Sequence, residues 1–192
     1  MLDNTLLSYY LPFYQFKERH EVFVGAAPSV LLNVVTHPGV ATDPWIRTFI
    51  DVRELPGRLL GKFRKGGALT NQPPFSIDNF LMLGRDTDHE IAFGLLGRFW
   101  KPDYGLVSVN SPGEFHRFNE TGVAKLVLNL SARVMDDGRT RLTTETRIFC
   151  NDRESNTYLT LYWWLIRPVS GLIRRRLLAR ICKFATDGVN VQ

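Results

Sequence analysis

The spacing of hydrophobic positions changes along the chain, and each change marks an element. Glu21 to Ala26 (EVFVGA) is short, β-branched and aromatic, and reads as a strand. Pro28 then stands where a first helical turn tolerates it, and SVLLNVV carries a helix to a stop at His37-Pro38. A second helix opens at Thr42-Asp43-Pro44, with Trp45, Ile46, Phe49 and Ile50 as its apolar face. Pro56-Gly57 ends it, and GRLLGKFRKGG reads as a short basic continuation followed by a loop. From Ile77 the period becomes two. IDNFLMLGR and HEIAFGLLGRFW read as strands around the turn Asp86-Thr87-Asp88, and GEFHRFN as a shorter strand. Lys125, Asn129, Ser131 and Arg133 then alternate with Leu126, Leu128, Leu130 and Ala132. On the return, Arg141, Thr143, Glu145 and Arg147 alternate with Leu142, Thr144, Thr146 and Ile148. Asp137-Gly138 between them is a strong hairpin signal. The sheet is antiparallel, and this alternation predicts one wet face and one covered face.

A helix follows the last strand, with Asn151 and Glu154 spaced as a capping box. Its first half, Tyr158 to Ile166, is apolar nearly all round, but far short of the ~20 residues that cross a bilayer. Arg167 and Pro168 interrupt the run, and four more arginines follow before Lys183. Beyond Pro168, Ile173, Leu177, Ile181 and Phe184 fall on one stripe. The pattern predicts a long C-terminal helix, kinked or broken near Pro168–Gly171, lying across the covered face of the sheet.

Composition narrows the class. The chain has 192 residues, 44% hydrophobic and 22% charged, which fits one globular domain. Seven basic and two acidic residues lie from Arg153 onward, which accounts for the whole net charge of +5. A neutral body with one basic helix argues against nucleic acid, whose binders spread a basic footprint among aromatic platforms. Cys150 and Cys182 follow no metal or redox spacing, so a disulfide framework is not expected and a reducing, cytoplasmic setting is. The N-terminus has an acid at Asp3, no basic region before its apolar run, and Pro12 interrupting that run. A secretory signal is therefore not expected.

The order of elements, together with FGLLGRFWKP (93–102), GVAKLVLNL (122–130), DGRTRLTTETRIFC (137–150) and YWWLIRPVSGLIRRRLL (162–178), resembles the SRPBCC superfamily. That superfamily includes START domains, the birch-pollen allergen family and polyketide cyclases. The four motifs look like a bacterial subgroup with no established chemistry to carry over. The resemblance runs from about Phe16 to Ala185. It implies one α+β helix-grip domain over 1–192, with 1–16 as an N-terminal extension and 186–192 as a tail. A curved antiparallel sheet of six or seven strands would surround the C-terminal helix. It also implies an apolar cavity between sheet and helix that holds a hydrophobic small molecule or lipid, without a cofactor.

The residues supply candidates for that cavity. Ile91, Phe93 and Leu95 lie opposite Glu90, while Leu126, Leu128, Leu142, Thr144 and Thr146 lie opposite the charged row. Tyr158, Tyr162 and Leu165 share one side of the helix at spacings of four and three and are expected to face the sheet. The four histidines, at 20, 37, 89 and 116, form no metal-ligand spacing. His116 is the candidate acid or base. Alternation along GEFHRFN would place Glu114, His116 and Phe118 inward, a carboxylate beside an imidazole, as a cyclase or dehydratase would use. A binding protein needs no such pair, and nothing in the sequence demands an enzyme. Arg174, Arg175 and Arg176, beside Leu172, Ile173, Leu177 and Leu178, offer a third reading, contact with an anionic membrane surface.

Overall fold

The structure, a computed structural model, describes residues 5–35, 79–101 and 103–189, with side chains as far as Thr186. The expected helix from Thr42, the basic continuation after Pro56-Gly57 and the start of the strand at Ile77 lie outside the described residues. Among the described residues the elements run α1 (Leu6–Tyr10), β1 (Phe16–Val24), α2 (Pro28–Val35), β2 (Leu81–Asp86), β3 (Glu90–Gly97), α3 (Pro112–Arg117), β4 (Ala124–Val134), β5 (Thr140–Cys150) and α4 (Arg153–Val189). The strands form one antiparallel sheet in the order β1-β5-β4-β3-β2. This is an α+β protein with five strands among the described residues, where six or seven were expected.

GEFHRFN accounts for one expected strand. It is the helix α3, because Ser111 caps it by accepting from the Glu114 amide at 3.2 Å, and Pro112 opens its first turn. Glu114 returns the bond to the Asn110 amide at 2.8 Å. A serine with a glutamate three residues on is a helix start, and it outweighs the apparent alternation. The hairpin at Asp137-Gly138 forms as read, with Gly138 at a φ of 79° that favours glycine. β1 begins at Phe16, five residues before the strand read from EVFVGA. Its added residues, FKERH, are mostly polar and carried no hydrophobic signal.

The inner face of the sheet carries α4 and α2. Leu31 and Leu32 of α2 meet Ile91, Leu130, Ala132 and Leu142 of the sheet, and Leu177, Leu178, Ile181 and Ala185 of α4. A second inner cluster joins Leu159, Trp163 and Ile166 of α4 to Leu95, Phe99, Ala124 and Ile148. The outer face is wet only in part. Leu7 and Leu11 from the N-terminal segment and Phe115 of α3 cover Leu83, Ala92, Leu96 and Val127 there. The amide of Leu6 donates to Glu90 Oε1 at 2.6 Å, and Asn129 donates to the other oxygen at 2.7 Å. The Gln15 side chain bonds both the amide and the carbonyl of Cys150, at 2.8 and 2.9 Å, which extends the ladder at the β5 end. Burial, and then the charge of Asp152, push the Cys150 thiol up to about 12.

α4 starts one residue later than its expected capping box. Asp152 is the cap: Oδ1 accepts from the Ser155 amide and Oδ2 from the Gly122 amide, each at 2.8 Å. The helix then runs unbroken through Pro168 to Val189. The break expected near Pro168–Gly171 does not occur. Proline costs the helix one backbone hydrogen bond, while Ile166 and Arg174 on either side are held against the sheet. The bonds from Ser155 and Gly122 hold the Asp152 carboxyl below the ordinary range. Its stabilisation is therefore fully present above the unfolded carboxylate range and is lost as pH falls through the lower folded value. Asp152→Ala should cost about 1 kcal/mol or more in denaturant unfolding near neutral pH. The difference from the unsubstituted protein should shrink on acidification.

Candidate functional site

The inner face is not uniformly apolar. Register places Phe93, Leu128, Thr146 and Glu18 in one row across β3, β4, β5 and β1, and Ile91, Leu130, Thr144 and His20 in the next. The β1 end of both rows is therefore polar and lies under the helix. Glu18 is 8% exposed. Its Oε1 meets His20 Nε2 at 2.8 Å, and its Oε2 meets Arg174 Nε at 3.4 Å, an ion-pair distance. Arg174 also donates to Thr146 Oγ1 and to Ser170 Oγ. Thr144 is fully buried, and its hydroxyl oxygen has no partner among the described residues. Burying a carboxylate is tolerable only with such partners, because its desolvation would otherwise cost several kcal/mol.

α4 reaches this cluster because Gly171 brings it close. A Cβ on Gly171 would sit 3.2 Å from Glu18 Oε1 and 3.6 Å from both Cε1 and Nε2 of His20. Glycine in a helix interior gives up ~1 kcal/mol relative to alanine, so its place here follows from the approach of the helix to the acid.

The helix lies over β1 and β5. Its buried stripe is Ser155, Leu159, Trp163, Ile166, Leu177, Leu178 and Ile181, with half-buried Ser170 and Arg174 in line. Tyr158 and Leu165, expected to face the sheet, are 49% and 56% exposed, and Tyr162 is half-buried. These three occupy the flank turned away from β1, with Tyr158 stacked on Trp100 at 6.4 Å between ring centroids. The run Tyr158 to Ile166 is apolar but for Thr160 and contains little to set the rotation of a helix, so the expected face was displaced by one residue.

Beside that flank the inner face stays partly open. Ile91, Leu95, Leu142, Thr144 and Thr146 are buried as expected, while Phe93, Leu126 and Leu128 are only half-buried. Met82, paired with Phe93 on β2, is 45% exposed. These partly exposed side chains belong to the inner face of the sheet, and Tyr158, Tyr162 and Leu165 to one flank of α4.

The expected acid–base pair lies elsewhere. His116 is exposed on the outer side of the sheet, stacked on Tyr9 at 4.7 Å, and Glu114 is taken up in capping α3. Phe118, expected in the cavity, packs with the outer cluster. A helix does not alternate, so the inward placement read for Glu114, His116 and Phe118 lapses with the strand. Below them Lys125 donates to the His116 carbonyl at 2.9 Å, and burial lowers its pKa to about 8. Of the three successive arginines, Arg174 points inward to Glu18, while Arg175 and Arg176 are exposed.

Two clefts flank the sheet. One of about 740 Å³ lies on the outer face, lined by Glu90, Asn129, Arg133, Arg141, Glu145 and Arg147 among others. Two of its acids are already engaged, Glu90 with the Leu6 amide and Asn129, and Glu145 with Lys17 at 3.2 Å and Arg147 at 2.9 Å. The other, of about 440 Å³, opens beside the Glu18–His20 pair at the edge of β1. No family model and no curated protein sequence matches the chain. Among the described residues no group of His, Cys, Asp and Glu is arranged to hold a metal ion, and no helix is long and apolar enough to cross a membrane.

Gly171→Ala tests whether the pair beneath the helix is held in place. The propensity gain of ~1 kcal/mol should be cancelled by crowding of Glu18, giving no rise in melting temperature, and the His20 ring resonances should shift. A full gain in stability with unmoved His20 signals would mean that the contact is slack.

Proposed function

We propose that this protein binds a hydrophobic small molecule or a lipid chain in the trough between α4 and the β2–β4 half of the sheet. One observation carries the reading: Phe93, Leu126 and Leu128 lie in the middle of the helix-covered face and still keep part of their surface in water. Apolar side chains at the centre of a domain are ordinarily covered. Here the helix that would cover them sits to one side, and its near flank offers Tyr158, Tyr162 and Leu165. Binding sites for apolar ligands have this make-up, an apolar lining with a few polar groups at its border. The tyrosine hydroxyls and the Thr146–Arg174 end of the Phe93 row are the polar groups.

The helix-grip arrangement and the likeness to START domains and their relatives belong to this proposal, and the α+β sheet with its long C-terminal helix is compatible with both. So does a cytoplasmic setting, which the two free thiols, Cys150 and Cys182, suit. His116 and Glu114 lie on the other face of the sheet and take no part in this proposal.

Native mass spectrometry of the purified protein should show an apolar adduct of lipid size. Phe93→Trp should fill part of the trough, abolish binding of a hydrophobic fluorescent probe and leave the melting temperature nearly unchanged. In a close-packed core the same enlargement would cost ~1–3 kcal/mol. That outcome, or probe binding that survives the substitution, would refute the trough as the site.

A further inference from the structure

The second cleft lies on the opposite flank of α4 from the trough and has a different chemistry. It is bounded by Lys17, Glu18, Arg19 and His20 of β1 and by Arg167, Pro168, Gly171, Leu172 and Arg175 of α4. Four of these nine residues are permanently cationic and one is acidic, so the sign of the cleft depends on how each charge is spent. The Glu18 carboxylate bonds His20 through Oε1 and lies at ion-pair distance from Arg174 through Oε2. Lys17 and Arg19 meet the acids Glu145 and Glu21, each at 3.2 Å. Arg167 and Arg175 have no acid within ion-pair distance among the described residues. They stand two turns apart on α4 with exposed side chains, so their guanidinium groups are the surplus charge. A concave surface with surplus charge of one sign concentrates counter-ions of the other.

The floor of the cleft adds direction to that charge. Glu18 holds the His20 ring through Nε2, which leaves Nδ1 as the ring atom to meet a ligand, and Nδ1 donates to an anion in the imidazolium form of the ring. Gly171 keeps the helix wall free of a side chain at that level. We propose that this cleft is a binding site for a phosphomonoester, with Arg167 and Arg175 gripping the phosphate oxygens and His20 at its base. Two guanidinium forks and an imidazole offer more directed groups than the two oxygens of a carboxylate can use. The three terminal oxygens of a phosphomonoester suit them. The phosphate belongs either to a small soluble molecule or to a lipid headgroup, and the chemistry of recognition is the same for both.

Calorimetric titration of the full-length protein with phenyl phosphate tests the site, with acetate as the carboxylate comparison. Phenyl phosphate should bind saturably and more tightly than acetate. Arg167→Gln and Arg175→Gln should each weaken it about tenfold, the usual scale for one lost charge-assisted hydrogen bond. Both side chains are exposed, so unchanged melting curves should accompany that loss. The His20 ring resonances should move in step with saturation. Co-sedimentation with vesicles identifies the source. Binding to phosphatidic acid but not phosphatidylcholine assigns a headgroup, and phenyl phosphate binding without vesicle binding assigns a soluble phosphate. Three results would each overturn the proposal: no saturable phosphate binding, equal affinity for acetate, or binding that ignores both arginine substitutions and leaves His20 unmoved.

Discussion

The contact of Arg174 with Glu18 decides how the long helix sits. An apolar helix on an apolar sheet could settle at several rotations with similar burial, because hydrophobic contact has no direction. A buried carboxylate removes that freedom, since stranding it costs more than a rotated helix could regain in packing. Arg174 meets Glu18 at 3.4 Å and also reaches Thr146, which ties one point of α4 to two strands. The stripe through Leu159, Trp163, Ile166, Leu177 and Ile181 then faces inward as a geometric consequence. Ser155 and Ser170 fall on that stripe too, and polar side chains there are what a purely apolar reading would place outside.

That dependence explains which features the sequence revealed. Strands β4 and β5 were plain because Leu126, Leu128 and Leu130 alternate with charged and polar neighbours, and the hairpin between them is local. The presence of α4 was equally plain from its length. Its rotation was hidden, because Tyr158 to Ile166 is apolar nearly all round and the group that fixes it, Glu18, lies about 140 residues earlier in the chain. His20 was hidden for the same reason. In KERHE it looks like one more polar residue before a strand, and only the pairing of β1 with β5 brings it under the helix. His116 drew attention because it stood two residues from a glutamate, a spacing that means something in a strand and little in α3.

The outer face shows the same limit from the other side. Glu90, Asn129 and Glu145 alternate with apolar residues and read as solvent-facing, yet all three are buried. Their partners come from distant segments: the Leu6 amide for Glu90, and Lys17 with Arg147 for Glu145. Arg147 in turn reaches Ser8 and the Leu11 carbonyl. A polar row can thus be an anchor for chain that crosses it, because buried polar groups are acceptable once bonded. The N-terminal segment from Thr5 to Gln15 is accordingly part of the packed structure. It covers Leu83, Ala92 and Val127 with Leu7 and Leu11, and it completes the ladder at Cys150.

The same ion pair accounts for the partial exposure of Phe93, Leu126 and Leu128. Rolling α4 by about one residue, roughly 100°, would turn Tyr158 and Leu165 down onto Phe93 and Leu128. Burying those two side chains fully would gain about 1.5–3 kcal/mol apiece if they began fully exposed. They begin about half-exposed, so the gain is nearer half that. Against it stands the withdrawal of Arg174 from Glu18 and Thr146, which leaves a buried carboxylate short of its cation at a cost of about 3–5 kcal/mol. The roll would also lift Leu159, Trp163 and Ile166 out of their own cluster. The loss exceeds the gain, so the helix holds its place over β1 and β5. The apolar residues of β3 and β4 are left partly in water, and Arg167 and Arg175 are held at the rim of the basic cleft on the other flank.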